Sequence, residues 1–504
     1  MHPTRSLASV FPCDPPAHAR RAAQSPSRTS DAQTAPRRLP VPNRLGIAGA
    51  LILALLVASP AAAQLEARAL LGDVAPGTGG GTYSFFEHLA TSSQGDVVFL
   101  ASITGGTASW GIFVETATES RVIVLSGDAA PIGVGGSFGS LFEPAVNAAG
   151  DVAFGASIVG GSASAGLFRS SGGVITPVLL SGDPAPGPAG GTFNYIGTPP
   201  ALNDAGDIAF FSGLGGGATR LAGLFRFSGG SLSSIVYRGD PSPAGLPGSL
   251  SILYSRPAIN QAGEVGYIAS MNDGGTSYGA ILLHSGGSNH VVAVTGDVPL
   301  GSGGGAYSGF ETDRFAVTGT GSVVFAGRLS TTQTAIHVFE DEVGAAGSVR
   351  VLHGDPAPDT AGGTIFNPTR PAANAAGDLV FSSAVLGGSV PVGVFEDQAG
   401  SLEAVALPGD PAPQTSGALA NFNAYPQIAD NGQIAFIAAV GGTPGSGIFT
   451  VPEPGLALPI AIGALALAAT GRRRPNRPRG AARARAPFAS TPRSSSPSRP
   501  ALPA

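Results

Sequence analysis

The sequence of 504 residues contains one cysteine, one tryptophan and no lysine, so all 27 basic residues are arginine. The lone cysteine, Cys13, excludes an intramolecular disulfide. Charged residues make up only 12% of the chain, whereas glycine contributes 76 residues and proline 43. Such a composition is typical of a turn-rich all-β protein or of a disordered chain. The regularly spaced apolar strands described below favour an ordered β protein.

The formal net charge of -5 hides an uneven distribution. Seven arginines precede Gln64 and nine follow Gly471, while the segment between them carries 11 arginines against 30 acidic residues, a net charge of -19. A body this acidic repels phosphate backbones. We therefore expect no nucleic-acid partner.

An eight-residue stretch recurs along the middle of the chain. Residues 147–154 read Asn-Ala-Ala-Gly-Asp-Val-Ala-Phe, and close copies occupy residues 203–210 and 374–381. Looser copies centre on four further glycines, and every copy carries an aromatic residue four positions after its glycine: Phe99, Phe154, Phe210, Tyr267, Phe325, Phe381 and Phe436. A Gly-Asp pair keeps the same period, at Gly72, Gly127, Gly182, Gly239, Gly296, Gly354 and Gly409. The unit is therefore 55 to 58 residues long, and seven copies of a unit of this length predict a repeat architecture.

Each recurring mark has a physical interpretation. The glycine of Asn-x-x-Gly lies where a turn needs a positive φ, and the asparagine can bond its own backbone there. The alternating run that follows predicts a strand with one buried face, and its aromatic residue is the expected core residue. A third mark, Gly-Ile/Leu/Val-Phe, opens another strand after a Gly/Ser-rich hairpin. Each unit is therefore expected to hold about four short strands and almost no helix.

On these marks the chain resembles the bacterial tandem-repeat proteins called NxxGxxAF. The resemblance spans Leu65 to Thr450, although Ser92, Thr318 and Ala429 replace the signature asparagine. Four-stranded units of this length, repeated seven times, predict a β-propeller. An open solenoid usually has shorter coils and distinct polar caps, which the sequence does not show. A row of two-unit sandwiches fits badly with an odd number of units.

The two ends of the repeat region predict how the ring closes. The first unit opens at Leu65 with a fourth-strand segment that has no earlier strands, and the last unit ends at Thr450 with a third strand. The amino-terminal strand is therefore expected to complete the last blade, which removes open sheet edges. We expect an all-β, seven-bladed propeller over residues 64–450, flanked by a signal peptide and a carboxyl-terminal hydrophobic helix.

Residues 1–63 have the features of a secretory signal peptide. An apolar run from residue 45 to 58 follows three arginines: Arg37, Arg38 and Arg44. Small residues then occupy the two positions that signal peptidase reads: Ala61 and Ala63. Cleavage is predicted before Gln64, and the alternative of a membrane helix is disfavoured because 14 apolar residues are few for a bilayer. The long segment before the apolar run leaves open a translation start nearer Val41.

Residues 451–474 resemble the PEP-CTERM sorting signal, whose three parts occur here in order. The motif Pro452-Glu453-Pro454 is followed by 16 uncharged residues from 455 to 470 and then by three arginines: Arg472, Arg473 and Arg474. The resemblance implies processing by an exosortase, with Pro-Glu-Pro as recognition element, in a Gram-negative host that makes extracellular polysaccharide. A helix of about 24 Å with a basic stop suits a transient anchor, and a permanent anchor is the alternative. Residues 475–504 read as a disordered tail.

Several short motifs are better explained by the repeat itself. Residues 275–279 match the Gly-x-Ser-x-Gly of serine hydrolases, but that motif needs a strand-turn-helix elbow and here lies in a hairpin. Residues 238–240 spell Arg-Gly-Asp because an arginine precedes the repeated Gly-Asp. The Gly-Asp pairs lack the acidic ladder of a calcium loop and are interpreted as turn caps. We expect no metal and no cofactor, because four histidines lack metal-ligand spacing: His284, His290, His337 and His353.

Alignment of the units predicts a ligand site. Seven residues before each repeat glycine, the first strand of the unit holds a variable, often polar residue: His88, Glu143, Pro199, Arg256, Arg314, Arg370 and Tyr425. The first strand of a propeller blade lies nearest the axis, so these residues are expected to ring one mouth of the channel. Arginine has a planar fork that suits carboxylate or phosphate. We expect the three arginines to bind an anionic group of matrix polysaccharide beside Tyr425 and His88; the alternative is that each arginine only pairs with an acid such as Glu311 or Asp313.

The sequence supports two hypotheses of function. The export signal, the sorting tail and the lack of a recognisable catalytic group favour a non-catalytic protein of the cell surface or exopolysaccharide matrix, in which the propeller is a binding or scaffold module. Because a fold alone defines no function, a secreted hydrolase or lyase acting on matrix polysaccharide stays open as the alternative. The expected partners are signal peptidase, an exosortase, acidic polysaccharide and, transiently, the inner membrane.

Overall fold

The computed structural model describes residues 65–452, except residues 197–198, 255, 424 and 444. The predicted signal peptide, the sorting signal from Glu453 onward and the tail lie outside the described residues, so those predictions stay predictions. Within the described part the only helix is one 3-10 turn at Gly187–Ala189, and no helix there is long and apolar enough to cross a membrane.

The described residues form short antiparallel strands with frequent turns. In chain order the strands are β1 Glu66–Leu70, β2 Thr82–Thr91, β3 Val97–Thr104, β4 Trp110–Glu115, β5 Ser120–Leu125, β6 Ser137–Leu141, β7 Ala145–Val146, β8 Val152–Val159, β9 Ala165–Ser171, β10 Val174–Leu180, β11 Thr192–Tyr195, β12 Ala201–Leu202, β13 Ile208–Gly215, β14 Ala222–Ser228, β15 Ser231–Tyr237, β16 Ser249–Leu253, β17 Ala258–Ile259, β18 Val265–Asn272, β19 Ser277–Ser285, β20 Ser288–Val294, β21 Tyr307–Val317, β22 Val323–Leu329, β23 Thr332–Asp341, β24 Ser348–Val351, β25 Thr364–Ala373, β26 Leu379–Leu386, β27 Val392–Gln398, β28 Ser401–Ala406, β29 Leu419–Phe422, β30 Gln427–Ile428, β31 Ile434–Val440 and β32 Ser446–Val451.

These strands build seven sheets, which we number as blades in chain order. Blade 1 contains β2–β5, blade 2 β6–β10, blade 3 β11–β15, blade 4 β16–β20, blade 5 β21–β24, blade 6 β25–β28, and blade 7 β29–β32 with β1. Each blade packs against the next, and blade 7 packs against blade 1. Blades 2, 3, 4 and 7 have their inner strand split into two segments, so every blade is four-stranded in outline. The prediction of a seven-bladed, all-β propeller is confirmed.

The ring closes through the amino-terminal strand. Strand β1 pairs antiparallel with β32, with Glu66 opposite Thr450 and Leu70 opposite Gly447. Blade 7 therefore combines the two ends of the repeat region, as the sequence predicts. The side chains of Ala69 and Leu70 are buried against the neighbouring blades, which ties the closing strand to the core.

The repeated aromatic residues form the core of each blade. All seven predicted core aromatics are at most 1% exposed. In six blades the aromatic lies directly across the sheet from a phenylalanine, which in five of them ends the Gly-Ile/Leu/Val-Phe mark; Phe99, for example, lies opposite Phe113 with ring centres 5.7 Å apart. In blade 4 the tyrosine Tyr267 faces Leu282 instead. Burial of these large side chains between blades contributes a large share of the apolar surface removed from water on folding.

The seven Gly-Asp pairs form one repeated turn. In each pair the aspartate accepts a hydrogen bond from the backbone N–H three residues earlier, at 2.7–3.0 Å. Each glycine has a positive φ between 92° and 107°, which a residue with a side chain rarely adopts. The interpretation of these aspartates as turn caps is confirmed.

The signature asparagine joins neighbouring blades. In blade 2, Oδ1 of Asn147 accepts from the N–H groups of Ala149 and Asp151 within its own turn. Its Nδ2 donates to the carbonyl of the next signature asparagine, Asn203, at 3.2 Å. Asn203 donates in the same way to Asn260, and Asn260 to the carbonyl of Thr318, at 3.1 and 3.0 Å. One side chain therefore satisfies its own turn and fixes the next blade.

We predict that the closing strand carries much of the stability of the ring. A chain that starts at Gly72 lacks β1, so it exposes the edge of β32 and uncovers part of the core of blade 7. We expect a lower melting temperature and greater aggregation than for a chain that starts at Gln64. Equal melting temperatures in differential scanning calorimetry would show that closure through β1 contributes nothing.

Candidate functional site

The inner strand of every blade is irregular at the same place. It is split into two segments in blades 2, 3, 4 and 7, and its register shifts in blades 1, 5 and 6. Such irregularities re-aim side chains away from the regular pleat. The seven residues at these places are those that alignment of the units predicts: His88, Glu143, Pro199, Arg256, Arg314, Arg370 and Tyr425.

Glu143 is the centre of the group. Arg256 donates from Nη1 and Nη2 to its two carboxylate oxygens at 2.9 and 2.6 Å, and Arg314 donates from Nη2 to Oε1 at 3.1 Å. Nδ1 of His88 lies 3.5 Å from Oε2. Glu143 belongs to blade 2, whereas these partners belong to blades 1, 4 and 5, so the contacts run across the propeller axis.

Tyr425 of blade 7 connects the remaining side chains. The guanidinium carbon of Arg370 lies 4.3 Å from the centre of its ring, that of Arg314 lies 5.5 Å away, and the ring of His88 meets it edge-on at 5.6 Å. Nε of Arg370 also donates to Asp313 at 2.5 Å. Six side chains from six blades therefore form one polar layer, which we call the axial layer: His88, Glu143, Arg256, Arg314, Arg370 and Tyr425.

The charges of the axial layer are largely compensated. Burial raises the pKa of Glu143, but the hydrogen bond from Arg256 and the charges of Arg314, Arg256 and His88 outweigh burial and hold its pKa below the usual range. Burial also lowers the pKa of Arg314, a shift that the charge of Glu143 opposes. Since Asp313 pairs with Arg370, the three arginines are not the free basic arc that the sequence led us to expect.

The backbone of Arg370 is strained. Its φ is +53°, in the left-handed region that bulky residues seldom enter. Asn367, three residues earlier on β25, has the same φ. A conformation of this kind costs roughly 1–3 kcal/mol and persists only where the surroundings impose it, commonly at functional sites. Within the axial layer, Arg370 is therefore the residue whose side chain is positioned by a strained backbone conformation.

A cavity of about 270 Å³ extends from the axial layer along the inner strands. Glu143, Arg256 and Arg314 line one end of it. The Asn-x-x-Gly turns line the other end, where polar side chains follow the signature position: Ser93, Asp204, Gln261 and Asp430. Sequence reasoning missed these residues, although each stands directly after the signature residue of its unit. Pro199 lines the cavity and contributes no polar group.

The other sequence motifs lie away from the axis. Ser277 and Tyr278 of the Gly-x-Ser-x-Gly match belong to β19, which continues a hairpin with β18, so no nucleophile elbow forms there. His337 is buried between blades 5 and 6, where its ring contacts Thr332 and accepts the N–H of His353. Within residues 65–452 and the gaps noted above, no group of three His, Cys, Asp or Glu side chains is placed to hold a metal ion.

A closed ring of seven four-stranded blades with a polar axial layer defines this protein as a β-propeller. Residues 53–166 and 155–456 match the model of the family of unknown function DUF7453, and the chain belongs to that family. No curated protein matches it in sequence.

Solved structures give only distant similarity. A puromycin-hydrolysing peptidase of Mycobacterium tuberculosis is 10% identical with a TM-score of 0.39, and the match covers 78% of this chain and 54% of the peptidase. A sialidase of Trypanosoma rangeli is 9% identical with a TM-score of 0.33, and the match covers 80% of this chain and 59% of the sialidase. An ulvan lyase of polysaccharide lyase family PL25 is 10% identical with a TM-score of 0.35, and the match covers 76% of this chain and 96% of the lyase. The chain thus spans less than two thirds of the peptidase and the sialidase, and scores this low carry no functional argument.

We predict that Glu143 holds the axial layer together. Glu143→Gln leaves Arg256 and Arg314 without their shared carboxylate in a site where the Glu143 side chain is only 8% exposed. Removing one partner from a buried ion pair typically costs about 3–5 kcal/mol, measurable by urea denaturation. Glu119→Gln is the matched control, because Glu119 is 62% exposed and pairs with Arg121 on the surface. Similar small losses in both variants would contradict a central role for Glu143.

Proposed function

We propose that this protein is exported and acts at the cell surface or in the exopolysaccharide matrix of a Gram-negative bacterium. The support is the order of sequence features: a signal peptide ending at Ala63, a propeller with NxxGxxAF repeats, and a PEP-CTERM-like segment at Pro452-Glu453-Pro454 with its arginine stop. Signal peptidase would act first and an exosortase second. The carboxyl-terminal helix would anchor the chain in the inner membrane only between the two steps.

We further propose that the propeller is a non-catalytic binding module whose axial layer takes an anionic group of an acidic polysaccharide. The observation that carries this proposal is Arg370. Its backbone is strained, its guanidinium stacks on Tyr425, and its Nη1 and Nη2 groups donate no hydrogen bond to any residue that the structure describes. Arginine offers two parallel donors to a carboxylate, so these two nitrogens are suited to a uronate group.

Arg256 and Arg314 have a different role in this proposal. Both donate hydrogen bonds to Glu143, so they position the axial layer and supply positive potential but do not offer a pair of free guanidinium donors to a ligand. Asp313, whose side chain is 43% exposed, holds Arg370 through Nε only. A ligand carboxylate therefore reaches Arg370 without first breaking the central ion pairs.

The alternative is a secreted hydrolase or lyase that acts on matrix polysaccharide. One observation favours it: Tyr425 lies at the axis beneath two arginines, and some glycoside hydrolases use a tyrosine as nucleophile. Against it, a general acid needs a raised pKa, whereas that of Glu143 is lowered. We therefore prefer the binding module.

Retention on alginate across a salt series tests the binding site. We expect wild-type protein to be retained at low salt and released as salt rises, because ionic contacts are screened. Arg370→Gln should weaken binding roughly tenfold or more, since a hydrogen bond to a charged group contributes about 1.5–3 kcal/mol. Arg220→Gln is the matched control, because Arg220 also pairs with an aspartate but is 39% exposed on blade 3.

The outcomes separate the hypotheses. Salt-insensitive elution of the wild type, or equal retention of both variants, rules out the axial site. Shortening of the alginate during the assay that is lost in Tyr425→Phe would instead establish the enzyme alternative.

We predict that the mature surface protein ends near Pro454. An exosortase substrate loses its hydrophobic segment, so mass spectrometry of the surface protein should detect peptides up to Thr450 and none from residues 455–470. The unprocessed form in a strain lacking the exosortase is the control. Recovery of peptides from 455–470 in the surface protein would make the segment a permanent anchor.

A further inference from the structure

Arginines of one blade lie on the turn glycine of the next blade at four of the seven junctions. The pairs are Arg121 with Gly150, Arg169 with Gly206, Arg226 with Gly263, and Arg350 with Gly377. Arg121 and Arg350 donate to the glycine carbonyl at 3.2 Å. A methyl group on Gly206 would meet the guanidinium of Arg169 at 2.9 Å. A guanidinium group is therefore the recurrent filling of this gap between blades.

In blades 2 and 3 the arginine is also held by its own blade. Arg169 pairs with Asp151 at 2.5 Å and Arg226 with Asp207 at 2.6 Å, each aspartate following the turn glycine of that blade. Both arginines occupy one position on the third strand, opposite Ala153 and Ala209 respectively. The site for the guanidinium thus has two walls, a carboxylate of one blade and a turn of the next.

The junction between blades 4 and 5 keeps both walls but lacks the arginine. Glu264 stands where Asp151 and Asp207 stand, and Leu283, opposite Gly266, replaces the arginine. Here a methyl group on the turn glycine Gly321 would meet the carboxylate of Glu264 at 2.9 Å instead of a guanidinium. The position of Arg121 on the fourth strand is taken by His290, which pairs with Leu283.

The missing side chain leaves a cavity of about 250 Å³. Glu264, Leu283, Ser285 and His290 line it from blade 4, and Gly321 and Glu342 line it from blade 5. Glu264 accepts hydrogen bonds from Asn260 and Ser285, which fix its carboxylate in place. The carboxylate of Glu342 has no hydrogen-bond partner among the residues that the structure describes. Two acidic residues, Glu264 and Glu342, therefore line the cavity together with the apolar Leu283 and the imidazole of His290.

We propose that this cavity, which we call the junction pocket, binds a guanidinium group from outside the propeller. The incoming group corresponds to Arg169 and Arg226 of the other junctions, but it lies in the cavity beside Glu264, since the carboxylate of Glu264 itself lies against Gly321. Its nitrogens donate to Glu264 and Glu342, and its stem packs on Leu283. The bearer is a small guanidinium compound or an arginine side chain of a partner protein. The junction pocket is independent of the axial layer, so either site can fail without the other.

Ligand-observed NMR on the full protein tests the junction pocket. The probe is N-acetyl-arginine amide, and the neutral isostere is N-acetyl-citrulline amide. We expect saturable transfer to the arginine probe and at least about tenfold weaker binding of the citrulline probe, because a charge-assisted hydrogen bond is lost. If the peptide Gly-Arg-Gly binds more tightly than N-acetyl-arginine amide, the guanidinium group is assigned to a partner polypeptide. If the two bind equally, it is assigned to a small molecule.

Three variants locate the binding. Glu264→Gln should weaken the arginine probe about tenfold, whereas Glu403→Gln, which removes an equal charge from blade 6, should change nothing. Glu342→Gln gives the same expectation if Glu264→Gln does not fold. Arg226→Leu recreates the pocket between blades 3 and 4, so the arginine probe should raise its melting temperature more than that of the wild type.

Equal binding of the arginine and citrulline probes would overturn the proposal. So would unchanged binding in a folded Glu264→Gln or Glu342→Gln variant. Failure of Arg226→Leu to gain stabilisation from the probe would show that the gap between blades does not accept an external guanidinium.

Discussion

Neighbouring blades in half of the ring are joined by a hydrogen bond from a signature asparagine: Asn147, Asn203 and Asn260 each donate to the following blade, whereas Asn374 donates to Asp378 of its own blade. The side chain of Asn147 is 1% exposed, so its amide and carbonyl must both be satisfied inside the protein. It meets this requirement by capping its own turn and donating to Asn203. Where the asparagine is missing, other groups substitute: Gly319 donates to the carbonyl of Ala375, and the side chain of Asn431 joins blade 7 to Gln94 of blade 1.

The fold was predictable because its determinants are local and repeated. Glycine at a positive φ, an aspartate three residues beyond the group that it caps and an aromatic residue on a two-residue period all act within a few positions of sequence. Seven repetitions turn weak local signals into a strong one. The closing strand was predictable for the same reason, since Leu65 to Leu71 repeats the fourth-strand pattern in front of Gly72.

The chemistry of the candidate site was only partly predictable. Alignment found the positions that face the axis, because the fold presents equivalent residues together. The ion pairs between these positions were not predictable from the alignment. Glu143 and Arg256, for example, are 113 residues apart, and their contact depends on the width of the ring. The strain at Arg370 depends on how β25 bulges, which no local motif encodes. Leu283 stands where blades 2 and 3 carry Arg169 and Arg226, and this equivalence follows from the strand register and from no local motif.

The irregular place shared by the inner strands separates the residues that build the blade from the residue that faces the axis. The inner strand is split or shifts register there, so the residue at this place departs from the regular pleat of the sheet. Histidine, glutamate, proline, arginine and tyrosine all occupy that place within this one chain without altering the blade around it. A propeller built in this way brings one variable side chain from each of its seven blades to the axis. The turns and the aromatic core therefore place no constraint on which side chain stands at this position.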